Sequence, residues 1–286
     1  MSVTFAAGFS AGSVAAGLKS SGKLDVTVVH NTGPSDAAAA VFTSNRAKAN
    51  PVLWSIEAIK DGSARAVVLN SGGANCYTGA EGFQATHKSA ELVASALDVS
   101  AQDVLVCSTG LIGVQLDGAK LYPAIEAACL KLNADGGADS AQAIMTTDSV
   151  PKLATATSAA GWKIGGMAKG AGMLAPALAT MLVVITTDAE VSDLDAHLRA
   201  ATSVSFDRLD SDGCTSTNDT VILMASGSSG IKAQAEEFQN LLVDVCMDLA
   251  RQLMKDAEGA AHEIAIEVHG AATVADALEV GRSIAR

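Results

Sequence analysis

The sequence predicts a layered α/β protein. Short runs rich in valine and isoleucine alternate with amphipathic helical patterns, without a strict strand–helix–strand repeat. This order favours sheets and helices packed as layers around a shared core. Apolar residues make up 49% of the 286 residues, enough to build a sizeable core. The length alone predicts about two domains, although no internal repeat or linker is visible.

Eight segments have the composition of β-strands. The sixth is apolar at nearly every position, which predicts a strand covered on both faces. The last alternates apolar and polar residues, as a half-buried strand does. In chain order the predicted strands are Leu24–His30, Ala39–Phe42, Arg65–Leu69, Val104–Cys107, Trp162–Met167, Thr180–Thr187, Val221–Ala225 and Ile264–His269.

Three segments have helical periodicity. Glu237–Ala257 carries one apolar stripe, and Gly259 stands where a glycine would end that helix. Glu81–Leu97 is a second, weaker helix, and Thr273–Arg286 is an amphipathic helix that runs into the C-terminus. No strand follows to cover this last helix, so we expect that part of the fold is missing at the C-terminus.

Composition excludes several classes of partner. The net charge of −12 repels phosphate backbones, and 3% aromatic residues leave few surfaces for base stacking, so nucleic acid is not an expected partner. No apolar run is long enough for a membrane helix, and no basic residue precedes Lys19 as a signal peptide requires. Five scattered cysteines without CxxC spacing indicate buried thiols in a reducing compartment. We therefore expect a cytoplasmic protein that binds small molecules.

A glycine-rich segment leads into the sixth predicted strand. Its Gly170–Ala175 portion mimics a dinucleotide-binding loop, but Pro176 and a strand follow where a long helix is required. The segment instead places Thr180 at the start of a buried strand. A threonine there is either a β-branched strand residue or a nucleophile exposed by cleavage of the Ala179–Thr180 bond.

Seven motifs span nearly the whole chain. In order they are AAAVFTSN (38–45), NSGGANCYTG (70–79), CSTGLIG (107–113), AIMTTD (143–148), KGAGMLAPALATMLVVITTDA (169–189), DGCTSTNDT (212–220) and DAEG (256–259). Together they resemble the ornithine acetyltransferase family, the bifunctional glutamate N-acetyltransferases of arginine biosynthesis. The resemblance implies an α/β sandwich of the kind shared with self-processing aminopeptidases.

The resemblance implies self-cleavage between Ala179 and Thr180, giving an alpha chain of residues 1–179 and a beta chain of residues 180–286. A threonine hydroxyl is a weak nucleophile without an adjacent base. The amine freed at Thr180 can be that base, because an α-amino group has a pKa of about 7.7–8.0. We expect the Thr180 hydroxyl to attack the Ala179 carbonyl, after which the ester hydrolyses.

The matched motifs also imply roles for other residues. Thr109 and Gly110 would form the oxyanion hole, and Thr146 and Lys169 would contact the substrate, the lysine through a carboxylate. Glu258 would pair with the ammonium of ornithine. Without the resemblance, each residue has an ordinary structural explanation. Thr109 and Gly110 fit a turn after a strand, and the Thr146 hydroxyl fits an N-cap or a turn. Lys169 and Glu258 fit a solvated loop and a solvated helix end. Cys107 has no matching histidine motif and is expected to pack in the core.

The implied reaction transfers acetyl from N-acetylornithine to glutamate through an acetyl-Thr180 intermediate. Family members also use acetyl-CoA as a donor to varying degree, and no metal or bound cofactor is implied. The cleaved chains are expected to assemble as an α₂β₂ heterotetramer.

Two other interpretations remain open. One is a hydrolase that uses the same nucleophile on amide bonds. The other is a catalytically silent homologue, because family members continue past Arg286 into a segment that completes the acceptor pocket.

Overall fold

The structure, a computed structural model, describes residues 2–173 and 181–285. These residues form nine strands and seven α-helices. The strands are β1 (Phe9–Val14), β2 (Val26–Asn31), β3 (Ala38–Phe42), β4 (Ala66–Ser71), β5 (Val104–Thr109), β6 (Lys152–Thr157), β7 (Lys163–Lys169), β8 (Leu182–Thr187) and β9 (Thr220–Ala225). The helices are α1 (Asn50–Ala58), α2 (Gly79–Leu97), α3 (Gly118–Leu130), α4 (Gly137–Ala143), α5 (Leu194–Val204), α6 (Ala235–Lys255) and α7 (Val274–Ala285).

The strands form two mixed sheets. The first has the order β1-β2-β4-β5, with β4 and β5 parallel and the other pairs antiparallel. The second has the order β3-β9-β8-β7-β6, with β8 and β9 parallel and the other pairs antiparallel. The two strands that follow residue 180 therefore lie between strands that precede it.

The two sheets are stacked and are covered by helices on their outer sides. Successive side chains of a strand point to opposite faces, and β8 shows this clearly. Val184 packs in the core between the sheets, whereas Val183 and Ile185 pack in the core shared with α5 and α6. A third core joins the first sheet to α2 and α3. The layered α/β prediction is confirmed, as is the prediction that the sixth strand is buried on both faces.

The predicted strand Ile264–His269 is wrong. Residues 261–269 have no regular structure, and the Ile264 side chain is 79% exposed. A strand needs a hydrogen-bonded neighbour, and no strand in the described part of the chain pairs with this segment. Alternation of apolar and polar residues therefore did not suffice to form one.

The helix predictions stand with small changes. Gly259 has the positive φ expected after a helix, 72°, but α6 already ends at Lys255. The amphipathic C-terminal helix is confirmed as α7, whose side chains are all at least partly exposed. No helix in the described ranges is both long and apolar enough to cross a membrane.

Candidate active site

β5 and β7 come from different sheets but end at the same rim of the sandwich. Thr109 is the last residue of β5 and Lys169 the last of β7. The Lys169 ammonium, 2% exposed, donates a hydrogen bond of 3.1 Å to Thr109 Oγ1. On the other side Lys169 is the register partner of Leu182, the first residue of β8. The rim thus joins both sheets beside Leu182, two residues after Thr180 in the sequence.

Thr146 completes a group of three side chains. Lys169 Nζ donates to Thr146 Oγ1 at 2.7 Å. An ammonium only donates, so the hydroxyl oxygens of Thr109 and Thr146 both accept. Within the described residues neither hydroxyl has another hydrogen-bond partner. The arrangement is one buried cation beside two hydroxyl donors, which suits an anionic group or a developing oxyanion.

Asp148 holds this group in place. Its Oδ1 accepts from Lys152 Nζ at 2.7 Å and from the Gly170 amide at 2.6 Å. Its Oδ2 accepts from the Thr146 amide at 3.0 Å and lies 3.9 Å from Lys169 Nζ. Burial alone would raise the pKa of Asp148, but the ammonium groups of Lys169 and Lys152 hold it below its usual value. Lys152 therefore makes the close ion pair with Asp148, and the Lys169 ammonium is available to bind another anion.

Lys152 extends the ion-pair chain to the end of α6. Its side chain is fully buried and also donates to Asp256 Oδ2 at 2.6 Å. Two residues later the Glu258 amide donates to the Ala171 carbonyl at 2.7 Å. The exposed Glu258 carboxylate lies against the backbone of Gly172, where a Cβ would be 2.9 Å from Oε2. The ion-pair chain thus brings Glu258 to the rim that carries Lys169.

Lys169 is surrounded by opposing charges. Burial lowers its pKa, and Lys152 adds to that effect, whereas the carboxylates of Asp148, Asp219 and Glu258 act to raise it. The net pKa lies below the usual lysine value.

Gly110 follows Thr109 with φ of 128°, a conformation that side chains rarely adopt. A Cβ at this position would lie 2.6 Å from the Gly73 amide nitrogen. Only glycine therefore fits here, since the chain passes directly against the Gly72–Gly73 backbone. The same backbone is bonded to β5, because the Gly72 amide donates to the Thr109 carbonyl at 2.9 Å.

Ala179 and Thr180, the predicted cleavage site, lie outside the described residues. The chain is described again from Met181, whose amide donates to Asp219 Oδ1 at 3.1 Å. Asp219 is fully buried, and burial raises its pKa well above the usual value. Its other oxygen has no hydrogen-bond partner among the described residues.

Cys107, a second side chain of the matched motifs that could in principle act as a nucleophile, is poorly placed for that role. The Cys107 side chain is buried in the core between the two sheets. Burial raises the pKa of this thiol to about 12, and the reactive form of a cysteine is the thiolate. The expectation that Cys107 packs in the core is confirmed.

A model of the ArgJ family matches residues 10–286. The chain belongs to the ArgJ family. The arginine biosynthesis bifunctional protein ArgJ of Thermobifida fusca is 59% identical over 288 residues, which cover 100% of this chain and 75% of that protein. The ArgJ protein of Bifidobacterium longum is 52% identical, covering 100% of this chain and 74% of its own length. The resemblance to ornithine acetyltransferases is confirmed, and this ArgJ chain is an acyltransferase of arginine biosynthesis.

Solved ArgJ-family structures share the fold. Ornithine acetyltransferase from Mycobacterium tuberculosis, crystallised in complex with ornithine, is 49% identical with a TM-score of 0.61. The match covers 63% of this chain and 96% of that chain. The ArgJ protein of Bacillus halodurans is 26% identical with a TM-score of 0.50, covering 68% of this chain and 92% of its own.

Sequence reasoning assigned no role to Asp148, Lys152 or Asp219. Asp148 and Asp219 lie inside the matched motifs AIMTTD and DGCTSTNDT. The motifs therefore pointed to these positions but did not indicate what the two side chains do. Lys152 lies outside every motif and is identified only by its contacts.

Proposed function

We propose that this acyltransferase moves an acetyl group from N-acetylornithine to glutamate through an acetyl ester on Thr180. The observation that carries the proposal is the buried Lys169 ammonium with the Thr109 and Thr146 hydroxyls around it. Both substrates are amino acids with an α-carboxylate, and a fixed cation beside hydroxyl donors suits that group. Membership of the ArgJ family and likeness to an ornithine-bound acetyltransferase support the same substrates.

The first proposed step is self-cleavage. The Thr180 hydroxyl adds to the Ala179 carbonyl, the peptide nitrogen leaves as the Thr180 amine, and water hydrolyses the ester. The products are an alpha chain of residues 1–179 and a beta chain of residues 180–286. Pairing of β7 with β8, and the bond from Met181 to Asp219, support a fixed chain position on the C-terminal side of the cut.

The second proposed step loads the enzyme. The Thr180 hydroxyl attacks the acetyl carbonyl while the free α-amine accepts its proton. The Thr109 hydroxyl and the Gly110 amide donate to the oxyanion, and removal of one such donor typically costs about 2.7–4 kcal/mol of barrier. The proton then passes to the leaving amine, which departs as ornithine. Glutamate attacks the ester in turn and leaves as N-acetylglutamate, which gives ping-pong order.

The remaining proposals concern donors and assembly. Acetyl-CoA can load the same threonine, which would suit a protein whose relatives are named bifunctional. No metal or bound cofactor takes part in these steps. The cleaved chains stay together because β8 and β9 lie between β7 and β3, and two such pairs form the α₂β₂ unit.

Trapping of the acyl-enzyme tests the proposal. Incubation of the cleaved protein with N-acetylornithine and no glutamate should add the mass of one acetyl group to the beta chain, at Thr180. Addition of glutamate should remove it and yield N-acetylglutamate. Peptide mass spectrometry locates the group. An acetyl group on Cys107, or free acetate in place of N-acetylglutamate, would show a different nucleophile or a hydrolase.

Two variants separate the substrate contacts. Lys169→Met should raise KM for N-acetylornithine and for glutamate, because both carry an α-carboxylate. Glu258→Gln should raise KM for N-acetylornithine far more than for glutamate, because only ornithine brings a side-chain ammonium to pair with this carboxylate. Charge-assisted contacts contribute about 1.5–3 kcal/mol, or about tenfold to a hundredfold in affinity. Steady-state kinetics of each half-reaction measures both, and equal losses in Glu258→Gln would contradict its role in ornithine binding.

A further inference from the structure

Lys19 is a second cation beside the proposed substrate site. Its Nζ donates to the Met145 carbonyl at 3.0 Å. The next residue, Thr146, accepts from Lys169 Nζ at 2.7 Å. Two ammonium groups are thus bonded to two consecutive residues, and the sequence motifs assign a role to only one of them.

The loop that carries Lys19 is held firmly in place. Asp25 is fully buried, and its carboxylate accepts three backbone amides of this loop. Oδ1 accepts from Ala16 at 2.6 Å, and Oδ2 accepts from Leu18 at 2.7 Å and from Lys19 at 3.2 Å. Hydrogen bonds to a carboxylate are stronger than those between neutral groups. The backbone of Lys19 is therefore fixed.

The same loop packs against the proposed oxyanion hole. A Cβ at Gly72 would lie 2.9 Å from the backbone and Cβ of Leu18, so the two chains are in direct contact. The Gly72 amide is bonded to the Thr109 carbonyl. Lys19 is consequently placed between the Gly72 turn and the Met145–Thr146 segment, at the rim where the acetyl group would be transferred.

The Lys19 ammonium uses one of its three N–H donors in hydrogen bonds to the described residues. A lysine ammonium has three N–H donors, and within the described residues Met145 is the only hydrogen-bond partner of Nζ. The side chain is half-buried. Burial and the neighbouring Lys23 ammonium lower the pKa of Lys19, while Asp25 and Asp148 act to raise it. A partly desolvated cation with unused donors is suited to bind an anion that enters from solvent.

We propose that Lys19 binds the side-chain carboxylate of the acceptor glutamate. This inference rests on the proposed function. Ornithine and glutamate share the α-carboxylate, which Lys169 would take, and differ in side-chain charge. The Glu258 carboxylate suits the ornithine ammonium but repels a second carboxylate, so the acceptor requires a cation elsewhere. Lys19 and Lys169 are bonded to the consecutive residues Met145 and Thr146, so the site offers one ammonium for each carboxylate of glutamate.

Glutamine as an alternative acceptor provides the test, because it matches glutamate in shape but lacks the side-chain charge. In Lys19→Met, kcat/KM for glutamate should fall by about tenfold to a hundredfold, while the values for glutamine and for N-acetylornithine stay unchanged. Lys19→Arg, which keeps the charge, should retain the preference for glutamate. Lys60→Met is the matched control, since Lys60 is more than half exposed, pairs with Glu57 and not with this loop, and its loss changes the net charge equally.

The outcomes are distinct. Equal falls with glutamate and glutamine, or an equal effect of Lys60→Met, would overturn the role of Lys19 in recognising the carboxylate. An unchanged kcat/KM for glutamate in Lys19→Met would overturn it as well. Failure of the parent protein to acetylate either acceptor would instead overturn the proposed function, and the inference with it. Self-cleavage and the melting temperature of each variant show that it has folded.

Discussion

Replacement of Thr180 by alanine is expected to leave one uncut chain and to lower acetyl transfer on the order of 10⁴-fold or more. Without the hydroxyl no ester can form with the Ala179 carbonyl, and no free amine appears to act as base. Denaturing gels should show a single band for the variant and two bands for the parent protein. N-terminal sequencing of the smaller parent fragment should read TMLVV.

Thr180→Ser is the matched control, since it keeps a hydroxyl at the same position. It should cleave itself, although at a different rate, and should transfer acetyl groups afterwards. Cleavage of Thr180→Ala at this bond without added protease would show that another group cuts the chain. Acetyl transfer by an uncut Thr180→Ala chain would contradict the threonine nucleophile altogether.

Lys152→Met is expected to cost about 3–5 kcal/mol of folding free energy, the usual penalty when one partner of a buried ion pair is removed. Lys152 is fully buried and bonded to the carboxylates of Asp148 and Asp256. Methionine has a similar volume but no charge. Asp148 would keep its two backbone amide bonds and the more distant Lys169, and Asp256 would lose its bond to a buried ammonium. Urea denaturation measures the loss as a lower midpoint.

Lys60→Met provides the control for this measurement. Lys60 also pairs with a carboxylate, that of Glu57, but both side chains are more than half exposed. Exposed pairs contribute about 0–1 kcal/mol, so its midpoint should barely move. Both substitutions are best carried in the Thr180→Ala background, which keeps the protein one polypeptide. Equal midpoints for the two variants would show that the buried ion pairs do not stabilise the fold.

The layers of the fold were predictable from local patterns, because burial leaves a periodic signature. The all-apolar run at β8 indicated a strand covered on both faces, and the stripe of α6 indicated a helix on a core. Alternation failed at Ile264–His269, since a pattern in one segment does not specify that a neighbouring strand exists to pair with it. β6 was not predicted, because its threonine- and alanine-rich sequence has no clear apolar pattern. It is a strand because it pairs with β7.

Part of the candidate site was also predictable from the sequence, and part was not. Thr109, Thr146 and Lys169 were proposed from motifs, and the structure brings their side chains together. The contacts that hold them there could not be predicted, since Lys152 and Asp256 are 104 residues apart in sequence. The sequence also does not distinguish a buried charged residue from an exposed one, because burial depends on how distant segments pack together.

The position of β8 and β9 within the second sheet affects the order in which folding and the proposed cleavage can take place. In the uncut chain this sheet closes within one molecule, and its rate of formation is independent of concentration. In the proposed cleaved form, the same sheet would be rebuilt only when two separate chains meet, so refolding would become second-order and slow on dilution. We therefore expect folding to precede the proposed cleavage, because the uncut chain assembles its core without having to meet a second chain.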